Sequence, residues 1–381
     1  MPSTVVLGAG MVGSVIAADL AAEPGWSVRI VDRSADALAA AKAREPRLES
    51  EVVDCADQAA VARTIETADV VCGALASHLG FAALRTIIET GRPYADISFM
   101  AEDAIDLDPL AVERNVPAVV DCGVAPGMSN LFAGEAVRRL DQTDSIRILV
   151  GGIPEVRHFP FEYKAGFAPS DVIEEYLRPA RIVTGGETVV REALSEIEPI
   201  EFPGIGTLEA FNTDGLRSLA ATLDVPEMIE KTMRWPGHAT LMRAFRDAGF
   251  LSDVPVEVDG KMVRPRDLTE RLIIPRWTFD DGEVDLTVMR VEAHGRMDGR
   301  ATSLRWDLHD RADTETKTRS MSRTTAFPCA LFARMLAAGR IDARGVLPPE
   351  RLVGESGLLD DVLAGLEKRG VRYTFTESTT D

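Results

Sequence analysis

The chain is 381 residues long, enough for two domains rather than one ordinary core, and its 45% hydrophobic and 27% charged content is that of a globular protein. Its 42 basic against 61 acidic residues leave a formal charge of −19, which repels phosphate backbones and anionic lipid and argues against nucleic-acid or membrane partners. We expect a cytoplasmic chain: no apolar run approaches the ~20 residues that span a bilayer, no export signal precedes the first strand, and Cys55, Cys72, Cys122 and Cys329 lie scattered as buried thiols rather than as a metal cluster or disulfide framework.

In chain order, Val5-Val6-Leu7 runs into Gly8-Ala9-Gly10-Met11-Val12-Gly13, after which Ser14 to Ala22 places apolar residues at helical spacing. Strand, glycine turn and helix are predicted. A second strand from Ser27 ends at Asp32, an acidic residue about 20 positions past the turn, which completes the context that a dinucleotide-binding motif requires. Gly8 permits the tight turn, Gly10 lets the backbone approach a pyrophosphate, and Gly13 lets the helix pack on the strand. With Met11 and Val12 they form the expected phosphate contact, at the free N–H groups of a helix start. Asp32 would accept hydrogen bonds from the adenosine ribose and favours NAD; Arg33 can turn toward a 2′-phosphate, so NADP stays open. The alternative is a plain tight turn.

The alternation continues through a short strand at Val52-Val53, a helix over 58–67 and a strand over 68–74. The loop that follows puts Ala74, Leu75, Ser77 and His78 where a nicotinamide ribose lies beyond the sheet. A helix over 81–90, a strand over 94–98, a helical stretch over 102–114 and a strand over 118–121 complete an α/β, doubly wound parallel Rossmann sheet. After residue 145, strand-like runs such as Ile146–Val150 and Val284–Val291 predict antiparallel structure. Gly151-Gly152 and Gly185-Gly186 read as turns within it, and the polar stretch 302–323 as an interruption.

Three stretches carry a family resemblance. The segment Asp121-Cys122-Gly123-Val124-Ala125-Pro126-Gly127-Met128-Ser129-Asn130-Leu131 resembles the saccharopine dehydrogenase-like family. Residues 201–216, from Glu201-Phe202-Pro203-Gly204 to Asn212-Thr213-Asp214-Gly215-Leu216, and Arg234-Trp235-Pro236-Gly237-His238-Ala239 are similar to the branch that holds L-lysine 6-dehydrogenase. Relatives also end like this chain, with Arg323-Thr324-Thr325-Ala326-Phe327-Pro328 opening a helix. The resemblance implies a cofactor domain over 1–125, an α+β substrate and dimerisation domain with a mixed sheet over 126–322, a helical return to the cofactor domain over 323–381, and a homodimer. It also implies hydride transfer from the ε-carbon of lysine to NAD, with release of ammonia; a saccharopine or carboxynorspermidine-type dehydrogenase, or a non-catalytic NAD(P) sensor, are the competing readings.

Such chemistry needs a neutral amine, a C–H bond aimed at the nicotinamide and a base for the nitrogen's proton. Asp96 and Asp121 lie at or near the carboxyl ends of successive predicted strands and can orient the amine or a catalytic partner, or merely cap the loop or helix that follows. Lys164 follows Tyr163 in a stretch similar to one bordering the family's active site, and a desolvated lysine can serve as base. His238 is a second candidate base near neutral pH, or a hydrogen-bonded structural histidine. Arg243 can clamp a carboxylate, or pair on the surface. Thr213, beside Asp214, stands where saccharopine reductases carry an arginine, which favours a substrate with fewer carboxylates. Arg323 and Thr324 are further substrate-binding candidates by resemblance. No H-x-x-x-H spacing or G-x-S-x-G elbow supports metal or serine hydrolase chemistry.

Overall fold

The computed structural model of the protein describes residues 1–380. It comprises two compact units: Met1–Arg139 with Ala221–Leu223 and Ser322–Tyr373, and Leu140–Ala220 with Asp224–Met321 and the described residues from 374 to 380.

The first unit is built on six strands in chain order, β1 (Ser3–Leu7), β2 (Ser27–Asp32), β3 (Glu49–Val52), β4 (Val70–Gly73), β5 (Tyr94–Asp96) and β6 (Pro117–Val119). They pair in parallel in the order β6-β5-β4-β1-β2-β3, with the strand Gly345–Leu347 added outside β6. Val5, Val6 and Leu7 are all buried because helices cover both faces, so the strand reads as a continuous apolar run rather than an alternating one. Crossovers are made by α1 (Gly13–Ala21), α2 (Ala35–Arg44), α3 (Gln58–Ile65), α4 (Ser77–Glu89) and α5 (Asp108–Glu113). Because β1 has β2 on one side and β4 on the other, the winding reverses at its carboxyl end, the place where such sheets take ligands.

Two boundaries differ from the sequence expectation. Helix α6 (Met128–Arg139) belongs to the first unit, since a Cβ on Gly134 would lie 2.9 Å from the Glu350 backbone of the returning segment. That return is not wholly helical. It supplies the seventh parallel strand, and the terminal strand Tyr373–Thr380 joins the sheet of the second unit.

The second unit's sheet uses β7 (Gln142–Pro154), β8 (Ala180–Thr184), β9 (Glu187–Arg191), β10 (Glu198–Phe202), β11 (Gly206–Asn212) and β12 (Glu227–Arg234). A separate hairpin, β13 (Val256–Val258) and β14 (Lys261–Val263), precedes the long strands β15 (Asp285–Met297) and β16 (Arg300–Arg311). Helices α7 (Pro169–Leu177), the one-turn α8 (Leu219–Thr222), α9 (His238–Asp247) and α10 (Pro265–Trp277) lie between them in the chain. The order β10-β11-β12-β7-β15-β16 is antiparallel except for the parallel pair β12–β7, which makes the sheet mixed. The sheet curls: a Cβ on Gly204, beyond β10, would lie 3.6 Å from the His309 ring on β16, and Arg290 on β15 stacks 5.1 Å from the Phe202 ring. The curl encloses Leu149, Ile153, Phe202, Leu208, Met233, Leu286 and Val288.

Gly185-Gly186 is the turn between β8 and β9, but Gly151-Gly152 lies inside β7. Packing explains those glycines. A Cβ at Gly151 would sit 2.5 Å from the Met233 carbonyl, and one at Gly152 would sit 2.4 Å from the Met321 methyl. Likewise 302–311 is strand β16, whose Leu304, Trp306 and Leu308 are buried on alternate positions; the polar residues between them disguised the period.

Candidate active site

The glycine turn meets the geometric demands of a dinucleotide. Gly8 has φ +100°, and a Cβ there would lie 2.3 Å from the Ala74 carbonyl; a Cβ on Gly13 would lie 2.0 Å from the Gly8 carbonyl. Gly10 differs. A Cβ on it meets no protein atom within 4 Å, so packing of this chain does not demand glycine there, whereas close approach of a diphosphate would. Helix α1 has no side-chain cap and no acidic residue in its first turn, leaving its N-terminal dipole for an anion. Met11 is exposed beside buried Val12.

Asp32 accepts the Ala9 N–H at 2.8 Å and the Ser34 N–H at 2.8 Å, which ties the turn to the end of β2. Arg33 is exposed next to it. Asp32→Ala should therefore weaken both dinucleotides and shift preference toward NADP at least tenfold, about 1.4 kcal/mol; paired affinity measurements check this, and an unchanged preference ratio removes the assignment. Beyond β4, Ala74 is half-buried, the Leu75 N–H is held by the Ser98 hydroxyl at 3.1 Å, Ser77 is buried, and His78 is exposed at the start of α4.

Asp96 ends β5 fully buried and accepts the Ser98 N–H at 2.9 Å; burial, only partly opposed by hydrogen bonds from Ser98, raises its carboxyl to about 6. Asp121 is buried just after β6 with φ +51°, a left-handed conformation that aspartate tolerates better than most residues. Arg323 and Thr324 lie in the first unit on the helix Ser320–Ala337. The Arg323 guanidinium bonds to the Arg369 carbonyl, and Thr324 is fully buried.

A second group of candidates lies within the second unit. His238 starts α9, whose N-terminus is anchored by Glu209: its carboxylate accepts the Gly237 N–H at 2.9 Å and the Ala239 N–H at 2.6 Å. The His238 ring is wholly buried, with Nδ1 2.7 Å from the Phe161 carbonyl and Nε2 2.7 Å from the Tyr176 hydroxyl. A carbonyl only accepts, so Nδ1 carries the proton, and Nε2 accepts from Tyr176. Burial first, then the nearby Arg234 charge, lowers His238 to about 3. This arrangement does not suit the general base near neutral pH that the sequence suggested; it fixes the Phe161 carbonyl, three residues before Lys164.

Tyr163 packs its ring 4.8 Å from His238 and 5.2 Å from Trp277, with the Arg234 guanidinium 4.7 Å over it. Lys164 is buried, with Nζ bonded to Glu283 and 3.4 Å from Asp280. Burial would raise Glu283, but Lys164 and the Asp280 N–H outweigh it and hold the carboxyl below its ordinary range. Arg234 also reaches Glu175 on α7 at 3.1 Å, and burial raises that carboxyl to about 7 despite the opposing charge.

Thr213 donates to Glu230 at 2.7 Å, and with that proton committed it accepts from Thr232 at 2.8 Å. Asp214 is gripped by Arg181 at 2.8 and 2.9 Å. Arg243 is set apart from these groups, exposed on α9 and 3.5 Å from Asp247, the surface pairing weighed as its alternative. Sequence reasoning missed Glu175, Tyr176, Glu230 and Arg234. The signal for two of them was present in Glu230-x-Thr232-x-Arg234, a period-two polar face that the strand buries.

Burial raises Glu230 to about 8, so between its unfolded value near 4.5 and 8 the folded state holds the extra proton. Stability from this group is thus complete at low pH and is lost as pH rises toward 8. Glu230→Gln should remove a decline of a few kcal/mol from the denaturant-unfolding free energy between pH 5 and about 8; a slope that survives the substitution refutes this.

Geometry of the first unit defines the class: an NAD(P)-binding Rossmann protein. Comparison with known proteins sharpens that. The model of the saccharopine dehydrogenase NADP binding domain matches residues 4–119, and that of the saccharopine dehydrogenase C-terminal domain matches residues 123–371. The chain belongs to the saccharopine dehydrogenase family, whose members are NAD(P)-dependent oxidoreductases acting on CH–NH donors. The mitochondrial alpha-aminoadipic semialdehyde synthase of Bos taurus is 21% identical over 358 residues, covering 74% of this chain, which spans only 38% of that protein's length. Among solved structures, apo saccharopine dehydrogenase (L-Glu forming) from Saccharomyces cerevisiae superposes with a TM-score of 0.81 at 18% identity, covering 100% of both chains. Homospermidine synthase from Legionella pneumophila, solved with NAD, gives 0.68 at 12% identity over 100% of this chain and 92% of its own. At these identities the likeness is one of fold. Among the described residues no helix is long and apolar enough to cross a membrane, and no group of side chains could hold a metal ion.

Proposed function

We propose that the protein is an NAD-dependent dehydrogenase that oxidatively deaminates the ε-amine of L-lysine, yielding ammonia and an aldehyde that cyclises to piperideine-6-carboxylate. The dinucleotide, when bound, supplies the hydride acceptor. Lys164 is the proposed catalytic base: it must pass its own proton to a neighbour before taking one from the amine, and Glu283 and Asp280 are the carboxylates beside it. His238 is proposed as a positioning residue, because it holds the carbonyl of the segment that carries Tyr163 and Lys164.

The observation that carries lysine over saccharopine is Thr213. Its hydroxyl is committed to buried Glu230, and the adjacent Asp214 is neutralised by Arg181, so the segment offers no arginine of its own to an additional substrate carboxylate. Steady-state assays test the reading. NAD reduction with lysine alone, together with ammonia release, supports it, whereas turnover that requires saccharopine or a carboxylated polyamine overturns it. Tight cofactor binding without any amine substrate would instead favour the non-catalytic sensor.

A further inference from the structure

Oxidising an alkylammonium with NAD and water gives an aldehyde, ammonium, NADH and one further proton, so each turnover of the proposed reaction must deliver a proton to solvent. Lys164, the proposed base, cannot make that delivery directly, because its side chain is only 8% exposed. The groups around its ammonium decide where the proton goes. Glu283 stands between that ammonium and the surface, with one oxygen toward each. Its Oε2 bonds to Lys164 Nζ and accepts the Asp280 N–H at 2.6 Å, while its Oε1 lies 3.2 Å from Nε2 of His158, whose side chain is 49% exposed. Both contacts are within reach for proton transfer.

The other charged neighbours do not offer the same path. Arg319 donates to the main-chain carbonyl of Glu283 at 3.3 Å, and an arginine keeps its protons. The Asp280 carboxylate is exposed but stands 3.4 Å from Nζ, and carboxylates as a class hold a proton only in acid, so neither it nor Glu283 is where a proton stays. Histidine is the side-chain type that takes and releases protons near neutral pH. The loop that carries it is also anchored: the His158 carbonyl accepts the Glu162 N–H at 2.9 Å, and Arg157 is held by the Glu162 carboxylate at 2.8 Å and over the Trp235 ring at 5.4 Å. That keeps the imidazole at Glu283 although the segment lies at the surface.

We infer that His158 is the proton exit of this site, reached from Lys164 through Glu283. Lys164 Nζ gives a proton to Oε2 of Glu283, and a half-turn about the Cγ–Cδ bond carries it to the side of His158. That torsion is broad and two-fold, so the half-turn is easy. Nε2 of His158 takes the proton, and Nδ1 releases one to water. Neutral Lys164 then takes a proton from the substrate amine, which leaves one proton in solvent for each NADH formed. The inference rests on Lys164 as the base but not on lysine as the substrate, since any primary or secondary amine oxidised here makes the same demand.

Turnover of the full-length chain in dilute buffer tests this. His158→Ala is expected to lower kcat about tenfold or more, with KM for the amine and the dissociation constant for NAD unchanged, and added imidazole should restore the rate in proportion to its concentration. Imidazole carries protons but replaces no packing contact, so rescue separates a relay from a mere surface ion pair. Because His158 is half exposed, the variant keeps the fold, which circular dichroism checks. Glu283→Gln, which cannot take the proton from Lys164, should be slow and unrescued. A second reading needs neither cofactor nor substrate: exchange of the Lys164 Nζ protons with water, followed by ¹⁵N NMR, should slow in His158→Ala. If Lys164→Ala is slow while His158→Ala shows parental kcat, parental proton exchange or a loss that imidazole does not repair, the relay is overturned and the base assignment stands. If Lys164→Ala turns over normally, or the chain oxidises no amine, the base assignment falls and the relay falls with it.

Discussion

Gly10→Ala is expected to fold like the parent and to bind dinucleotide at least tenfold more weakly, while Gly13→Ala loses binding and stability together. The two glycines differ in what a methyl group would meet. At Gly13 it would intrude to 2.0 Å from the Gly8 carbonyl, and either α1 or the turn must move; overpacking of this kind costs roughly 1–3 kcal/mol. At Gly10 it would meet nothing of the protein within 4 Å. The only cost there falls on a ligand whose phosphates must approach the backbone, so the loss appears in affinity and not in the melting temperature. Thermal unfolding with and without NAD separates the effects: the melting temperature of free Gly10→Ala should match the parent, and the rise on adding NAD should shrink. If Gly10→Ala binds NAD as tightly as the parent, the turn is structural and nothing more.

Lys164→Ala should lower kcat by about 10²- to 10⁴-fold, the usual contribution of a positioned proton-transfer group, with the dissociation constant for NAD unchanged. Lys164 is buried against Glu283, so its loss also leaves that carboxylate with only His158 and the Asp280 N–H as partners. His238→Ala should lower kcat too, by a different route. Its ring is neutral across the working range and bonded at both nitrogens, so removing it frees the Phe161 carbonyl and the Tyr176 hydroxyl, without deleting a titrating group. The pH dependence of kcat should keep its shape in His238→Ala, and His238→Asn, which retains an amide donor, should recover part of the rate. Normal kcat in both alanine variants would show that the second-unit cluster is not the catalytic one.

The first unit was legible because its signals are local. The Gly8–Gly13 turn, Asp32 at the end of β2 and the alternation through β6 each depend on neighbours within a few tens of residues. The parts that were not legible depend on contacts far apart in sequence. Gly151-Gly152 reads as a turn until Met233 and Met321 press against it, and the strand Gly345–Leu347 enters the parallel sheet beside β6 by pairing Leu347 with Val119, 228 positions earlier (347 − 119), which no window detects. The site divides similarly. Lys164 and His238 stood out by type and by resemblance, but His238 changes character once Tyr176, Phe161 and Arg234 enclose it, and Glu175 and Glu230 acquire raised values through burial first and neighbouring carboxylates second.

Isothermal titration calorimetry of the folded full-length chain with NAD(H) and NADP(H) bears most directly on the account. Saturable heat at one dinucleotide per chain, stronger for NAD than for NADP and diminished in Gly10→Ala, is the predicted result. Heats no different from dilution for all four nucleotides would contradict it.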